Sequence, residues 1–234
     1  MIASITLLAE NDYVGMTFWL ATAIMLASTV FFFIERSDVS GKWRTSMTVA
    51  GLVTGIAFWH YLYMREAHLQ GEVTTVFRYI DWLVTVPLQI VEFYLILAAV
   101  TAVTSMLFWR LLGASLVMLI FGYLGEAGLM DVTLGFIIGM AGWIYIIYEI
   151  FAGEAAKLSE GSKNAGGQFA FNTLRYIVTI GWAIYPIGYA WGYFGGGLNE
   201  DALNIVYNLA DLINKAAFGL AIWAAAKKAS GHVT

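Results

Sequence analysis

The sequence predicts an all-α membrane protein, a seven-transmembrane helix bundle with its N-terminus outside and its C-terminus in the cytoplasm. Three observations carry this expectation. Of 234 residues, 60% are apolar and only 12% are charged, where ordinary soluble domains carry about 25% charged residues. Seven apolar stretches each reach the about 20 residues that a helix needs to cross the hydrocarbon core. The basic residues fall almost entirely on one set of connections, which fixes the orientation. The same composition excludes a disordered tail, a collagen-like rod and a charged coiled coil. A net charge of −4 excludes a strongly basic nucleic-acid binder. With no cysteine there is no disulfide framework, thiolate zinc site or iron–sulfur cluster. His60, His68 and His232 are too scattered for a histidine metal site, so no metal is expected.

The first helix is expected near Tyr13 to Ile34, the second near Thr45 to Met64 and the third near Val73 to Leu97. The fourth runs near Ser105 to Leu124, the fifth near Val132 to Phe151, the sixth near Phe169 to Tyr193 and the seventh near Asp201 to Ala226. These runs are too long and too rich in Leu, Ala and Met for barrel strands, which alternate over about 10 residues. Backbone groups must be satisfied within lipid, so helices follow. Turn chemistry marks Ser37–Gly41, Gly161–Gly167 and the triplet Gly195–Gly197 as loops. No phosphate-loop lysine follows the triplet, which is read as plain loop. One helical domain therefore spans 13–228, with a tail at 229–234. Residues 1–12 form an N-terminal arm or a signal-peptide remnant; their start is apolar but has no basic region. Arg36, Lys42, Arg44, Arg110, Lys157, Lys163, Arg175, Lys227 and Lys228 map to one side, and Arg65 with most of the acidic loop residues to the other.

Five ionisable residues lie well inside the expected spans: Arg78, Asp81 and Glu92 on the third helix, Asp211 and Lys215 on the seventh. Each costs about 2.5–3.5 kcal/mol even on a lenient insertion scale, so such charges point to function. A static ion-pair network is the structural alternative. Arg78, Asp81, Thr85, Gln89 and Glu92 are spaced 3, 4, 4 and 3 and share one helix face. Asp81 and Glu92 are separated by about 16 Å along that axis. One carboxylate on each side of the membrane centre suits proton relay better than a metal cage, whose oxygens must converge within about 2.6 Å of one ion. Asp211 and Lys215, at i and i+4, also share a face. The Lys215 arm leans toward its own N-terminus, to the level of Asp211 and Asp81. A buried lysine amine suits Schiff-base chemistry. Trp82, Trp182, Tyr185, Pro186 and Tyr189 lie at the same depth. Core packing is their ordinary role, yet with Lys215 they make a site for a flat apolar ligand plausible. Trp19, Trp43, Trp109 and Tyr13 are expected at membrane interfaces or between protomers.

These segments resemble the microbial rhodopsins, and most closely the proteorhodopsin group. RYIDWLVTVPLQIVEFYLIL (78–97), GWAIYPIGY (181–189), IVYNLADLINKAAFGL (205–220), FWHYLYMR (58–65) and FGYLGEAG (121–128) carry the resemblance, which extends over 13–228. It implies all-trans retinal bound to Lys215 as a protonated Schiff base. It implies Asp81 as primary counterion and proton acceptor, Asp211 as second counterion with Tyr61 and Tyr185 as hydrogen-bond partners, and Glu92 as proton donor. Thr85 completes the acceptor–donor pattern, and Arg78 stands between the counterion and the outside. His60 is implied to bond Asp81 and to reach a neighbouring subunit at Trp19. Trp82, Met118, Gly122, Trp182, Tyr185, Pro186 and Tyr189 are expected to line the retinal pocket.

The function so implied is a light-driven outward proton pump, an ion transporter rather than an enzyme, in the bacterial inner membrane. Burial of Glu92 among apolar residues favours its uncharged form. Gln89 implies a blue-absorbing form, because a polar amide near the Schiff-base end favours charge held there in the ground state; a contact between helices is its alternative role. Gly51 and Gly55 offer a weak helix-contact motif. Expected partners are membrane lipids, protons and further copies of the chain in a pentamer or hexamer, with no nucleic acid. The competing reading is a sensory rhodopsin with a slow photocycle; a retinal-free carrier or receptor is the other. No proton-release group is assigned.

Overall fold

The computed structural model describes residues 8–196 and 199–231. Most of the N-terminal arm (1–7), Gly197 of the glycine triplet, and His232 with the rest of the tail lie outside the described residues. Among the described residues the regular elements are all helical. The first helix, α1 (Tyr13–Glu35), starts where the Asp12 carboxylate accepts the Gly15 N–H at 2.7 Å. A 3-10 turn (Arg36–Asp38) leads to α2 (Gly41–Leu69), followed by α3 (Thr75–Val100), α4 (Ser105–Glu126) and α5 (Val132–Phe151). A short α6 (Glu154–Gly161) precedes α7 (Ala165–Tyr176) and α8 (Ile184–Tyr193), which together form the sixth span. The seventh consists of α9 (Glu200–Asp211) and α10 (Phe218–Ala229), joined by a π-helical segment, Leu212–Ala217.

Six of these rods are long and apolar enough to cross a membrane as continuous helices. The sixth span is broken instead, by a π-helical segment at Ile177–Gly181 and a turn at Trp182–Ala183. Pro186, just beyond, has no N–H with which to continue the ladder.

The stretch Gly161–Gly167, expected as loop, is mostly helical. Only Ser162–Asn164 is irregular, because Asn164 caps α7 by accepting the Gly167 N–H at 2.8 Å. The α6 turn before it is anchored by Arg110, which bonds the Glu154 carboxylate and lies 3.3 Å from Glu149.

The rods form a closed ring: α1 packs on α2, α2 on α3, α3 on α4, α4 on α5, α5 on α8, α8 on α9, and α9 returns to α1. The α4–α5 contact brings backbones together. A Cβ at Gly142 would stand 2.6 Å from the Ala114 carbonyl oxygen, and one at Gly135 2.8 Å from that of Phe121. Gly51 and Gly55 serve a contact inside the chain, against Phe33 and Thr29 of α1. Trp43, expected at an interface, is instead 4% exposed and packs in the core with Val39 and Met47. The reason is that α2 begins at Gly41, earlier than expected, and its first turn folds Trp43 inward. Trp19, Trp109 and Tyr13 are exposed.

Candidate functional site: a buried lysine between two carboxylates

Two membrane-depth helices deliver opposite charges to one point. Lys215 lies inside the π-helical segment of the seventh span, one turn beyond Asp211. Its Nζ lies 2.6 Å from Asp211 Oδ2 and pairs directly with Asp81 Oδ2 of α3. Asp81 and Asp211 are 0% exposed and Lys215 is 2% exposed. A buried ammonium facing two buried carboxylates is tolerated only when the remaining lone pairs also find donors, and they do. Tyr61 Oη donates to Asp211 Oδ2 at 2.9 Å, and Tyr185 Oη donates to Asp211 Oδ1 at 2.5 Å. His60 Nδ1 lies 3.2 Å from Asp81 Oδ1. His60 is itself only half-buried, so its ring links the acceptor to the outer surface of the bundle.

Arg78 sits on α3 nearer the Asp12 end of the bundle. It does not salt-bridge either aspartate. Its Nη2 donates to Asn204 Oδ1 at 2.9 Å and Asn208 Oδ1 at 3.0 Å, while Nη1 has no partner among the described residues. Thr74 also donates to Asn204, and Asn208 donates to Thr17 at 2.9 Å. The cation is thereby positioned without being neutralised. Thr85 donates to the Asp81 backbone carbonyl at 2.9 Å. Toward the Lys227 end, Glu92 is 0% exposed, and neither of its carboxyl oxygens has a hydrogen-bond partner among the described residues. Phe93 beside it packs edge-to-face on Phe171 of α7, with ring centroids 5.6 Å apart.

Lys215 closes one end of an apolar cavity of about 750 Å³ between α3, α4, α5 and α8. Trp82, Met118, Gly122, Trp182, Tyr185, Pro186 and Tyr189 all line it. Gln89 lines it too, and also donates to the Asn214 backbone carbonyl at 2.5 Å, so it is both a wall residue and a contact between helices. A Cβ at Gly122 would stand 3.1 Å from the Tyr79 hydroxyl, so a larger residue there crowds the wall. The apolar lining with a few polar groups at one end is that of a small-molecule site. Aromatic walls ending on one amine fit a flat polyene aldehyde such as retinal.

Several residues of the site escape a reading by charge and periodicity. Glu126, the last residue of α4, faces both this cavity and a second one of about 1280 Å³, which it shares with Arg78, Asn204 and Glu200. Asn204, Asn208 and Asp211 are spaced 4 and 3, a signal that could have placed both asparagines on the functional face. Glu149 is 3% exposed but belongs to the Arg110 anchor. Trp19 is exposed and carries the Arg65 guanidinium 4.0 Å above its ring.

A family model described as bacteriorhodopsin-like protein matches residues 12–229. A green-light absorbing proteorhodopsin of Gamma-proteobacterium EBAC31A08 is 58% identical over 227 residues, covering 96% of this chain and 91% of that protein. A blue-light absorbing proteorhodopsin of Gamma-proteobacterium Hot 75m4 is also 58% identical, over 225 residues, with coverage of 95% and 89%. Among solved structures, blue light-absorbing proteorhodopsin from Med12 is 71% identical with a TM-score of 0.82, covering 93% of this chain and 99% of that one. Xanthorhodopsin, described as a light-driven ion pump with dual chromophore, is 26% identical with a TM-score of 0.82, covering 96% of each chain. The chain is thus a multi-pass membrane protein that belongs to the bacteriorhodopsin-like family.

Proposed function

We propose that this chain is a light-driven outward proton pump that carries all-trans retinal on Lys215. The observation that carries the reading is the Lys215 ammonium, buried between Asp81 and Asp211 at the closed end of the apolar cavity. Retinal, the chromophore this family implies, supplies a light-driven change of shape and of proton affinity at the Lys215 nitrogen. The chain's own residues then give that change a direction.

Asp81 is the proton acceptor, because of the two carboxylates that pair with Lys215 it is the one held by no hydroxyl donor. Asp211, held by Tyr61 and Tyr185, keeps its charge as the second counterion. His60 shares hydrogen bonding with Asp81 and modulates when it accepts. Arg78, held by two asparagines, keeps positive charge between Asp81 and the second cavity, which favours release in that direction. Glu126 borders that exit and is the outer carboxylate best placed to pass protons on.

Glu92 is the donor that restores the Lys215 proton. Its buried carboxyl exchanges a proton with the site only when water or a moving side chain connects the two. Thr85 and Gln89 lie between the two carboxylates on the same face of α3. The basic residues concentrated at the Lys227 end make that end cytoplasmic, so the Asp12 end is outside and transport is outward.

Gln89 in the cavity wall supports a blue-absorbing form, as does the 71% identity to a blue light-absorbing structure. Residues 13–228 form the retinal-binding domain, with an arm before it and a short tail after it. Trp19 and the half-buried His60 lie on the face that meets a neighbouring protomer in a pentamer or hexamer within the bacterial inner membrane. The test is illumination of unbuffered cells that express the chain with added retinal. External acidification abolished by a protonophore supports the pump. A coloured protein that moves no protons and recovers slowly after a flash overturns it in favour of a sensor.

A further inference from the structure

The sixth span is broken where the seventh touches it. Trp182 N–H bonds the Ile177 carbonyl at 3.1 Å, one residue further back than in an α-helix, and Tyr185 N–H turns back to the Trp182 carbonyl at 3.1 Å. The Gly181 carbonyl therefore lacks its ordinary donor, the N–H four residues on. Asn214 takes that place: its Nδ2 donates to Gly181 O at 3.0 Å. The second proton of the same amide goes to Tyr185 Oη at 3.1 Å, and the Tyr185 hydroxyl gives its own proton to Asp211 Oδ1 at 2.5 Å. Gln89 of α3 holds the Asn214 backbone carbonyl at 2.5 Å. Asn214 is 1% exposed, and its Oδ1 has no partner among the described residues. Only glycine admits this arrangement at 181. A Cβ there would collide with Asn214 Oδ1 and lie 3.1 Å from its Cγ.

We propose that Asn214 is a positioning residue, a latch that ties the break in the sixth span to the hydrogen bonding of Asp211. The inference rests on the pump reading above. While Asp211 accepts the Tyr185 proton, the Tyr185 lone pair faces Asn214 and the Gly181 carbonyl stays bound. Loss of the amide's hold on Gly181 lets the turn at Trp182–Ala183 act as a hinge. The part of the span it frees is α7, whose Phe171 covers Phe93 beside Glu92. Release of the latch thus loosens the packing of α7 over the donor carboxyl.

The chain has no cysteine, so spin labels can be placed cleanly at Met106→Cys on α4 and Phe169→Cys on α7, positions 62% and 45% exposed. Distances between them are measured in the dark and under illumination, with and without retinal. Asn214→Leu keeps the volume and removes the donor. Gly181→Ala keeps the amide and evicts it from its slot. Each is expected to raise the dark population of the displaced α7 about 5- to 30-fold, the effect of losing one or two neutral hydrogen bonds. The double variant should go no further, because both changes remove one contact. Wild-type dark distances in both variants would overturn the latch. If Asn214→Leu does not fold, Gly181→Ala alone decides. Failure of the wild type to form a coloured protein would sink the pump reading instead, and the retinal-free distances would still judge the latch.

Discussion

Removing the Lys215 ammonium should destabilise the retinal-free protein by a predictable amount and in a predictable pattern. Its Nζ is shared by two carboxylates that are both 0% exposed. Lys215→Met keeps the length of the side chain and leaves those carboxylates facing each other with no cation between them. Breaking a buried ion pair in this way costs about 3–5 kcal/mol. For a chain of this size that lowers the thermal midpoint by about 6–20 °C, at 2–4 °C per kcal/mol. The two aspartates are not equivalent. Asp211 retains the Tyr61 and Tyr185 hydroxyls, whereas Asp81 retains only His60. Adding Asp81→Asn to Lys215→Met should therefore restore most of the loss, and adding Asp211→Asn should restore less, because it also strips two hydroxyls of a charged acceptor. Thermal unfolding in detergent reads all four proteins. An unshifted midpoint in Lys215→Met, or better recovery through Asp211→Asn, would refute the assignment of charge in the cluster.

Three further outcomes follow from single residues. Gln89→Leu should move the visible band to the red while keeping the pigment intact, since the change removes a polar group from the cavity wall; an unchanged spectrum would remove Gln89 from colour tuning. Glu92→Gln should slow the return of the pigment after a flash about 100-fold, the scale of a lost proton-transfer group, with the initial proton loss from Lys215 unaffected. Transient absorbance separates the two phases, and a wild-type return rate would exclude Glu92 as donor. His60→Asn should move the pH midpoint at which the visible band changes, because His60 Nδ1 lies 3.2 Å from the Asp81 carboxylate; titration curves that superimpose on the wild type would dissociate the pair.

Much of this molecule is legible in its sequence. Helix positions follow from apolar runs of membrane length, and Asp81, Asp211 and Lys215 stood out because charge within such runs is costly. What escaped had no such contrast with its surroundings. Asn214 is neutral and sits beside the more conspicuous lysine, and its role depends on a carbonyl freed on another helix. The break at Trp182 leaves no mark on hydrophobic periodicity; Pro186 was its one sequence signal, and it was read only as a wall residue. Glu126 ends its helix two residues past the expected boundary, outside the span in which a charge is conspicuous. Trp43 illustrates the reverse error, since a tryptophan near a span terminus is ambiguous until the start of the helix is known. Glu154 to Gly161 forms a helix because Arg110, far away in sequence, anchors its first residue.

The central claim is that a chromophore is joined to one buried amine on the seventh span. Reduction of the illuminated, retinal-reconstituted protein with borohydride, followed by proteolysis and mass spectrometry, tests it most directly. The account predicts a retinyl group on the peptide that contains Lys215 and on no other. A retinyl group on a different lysine, or a coloured protein from which all retinal washes away after reduction, would contradict it.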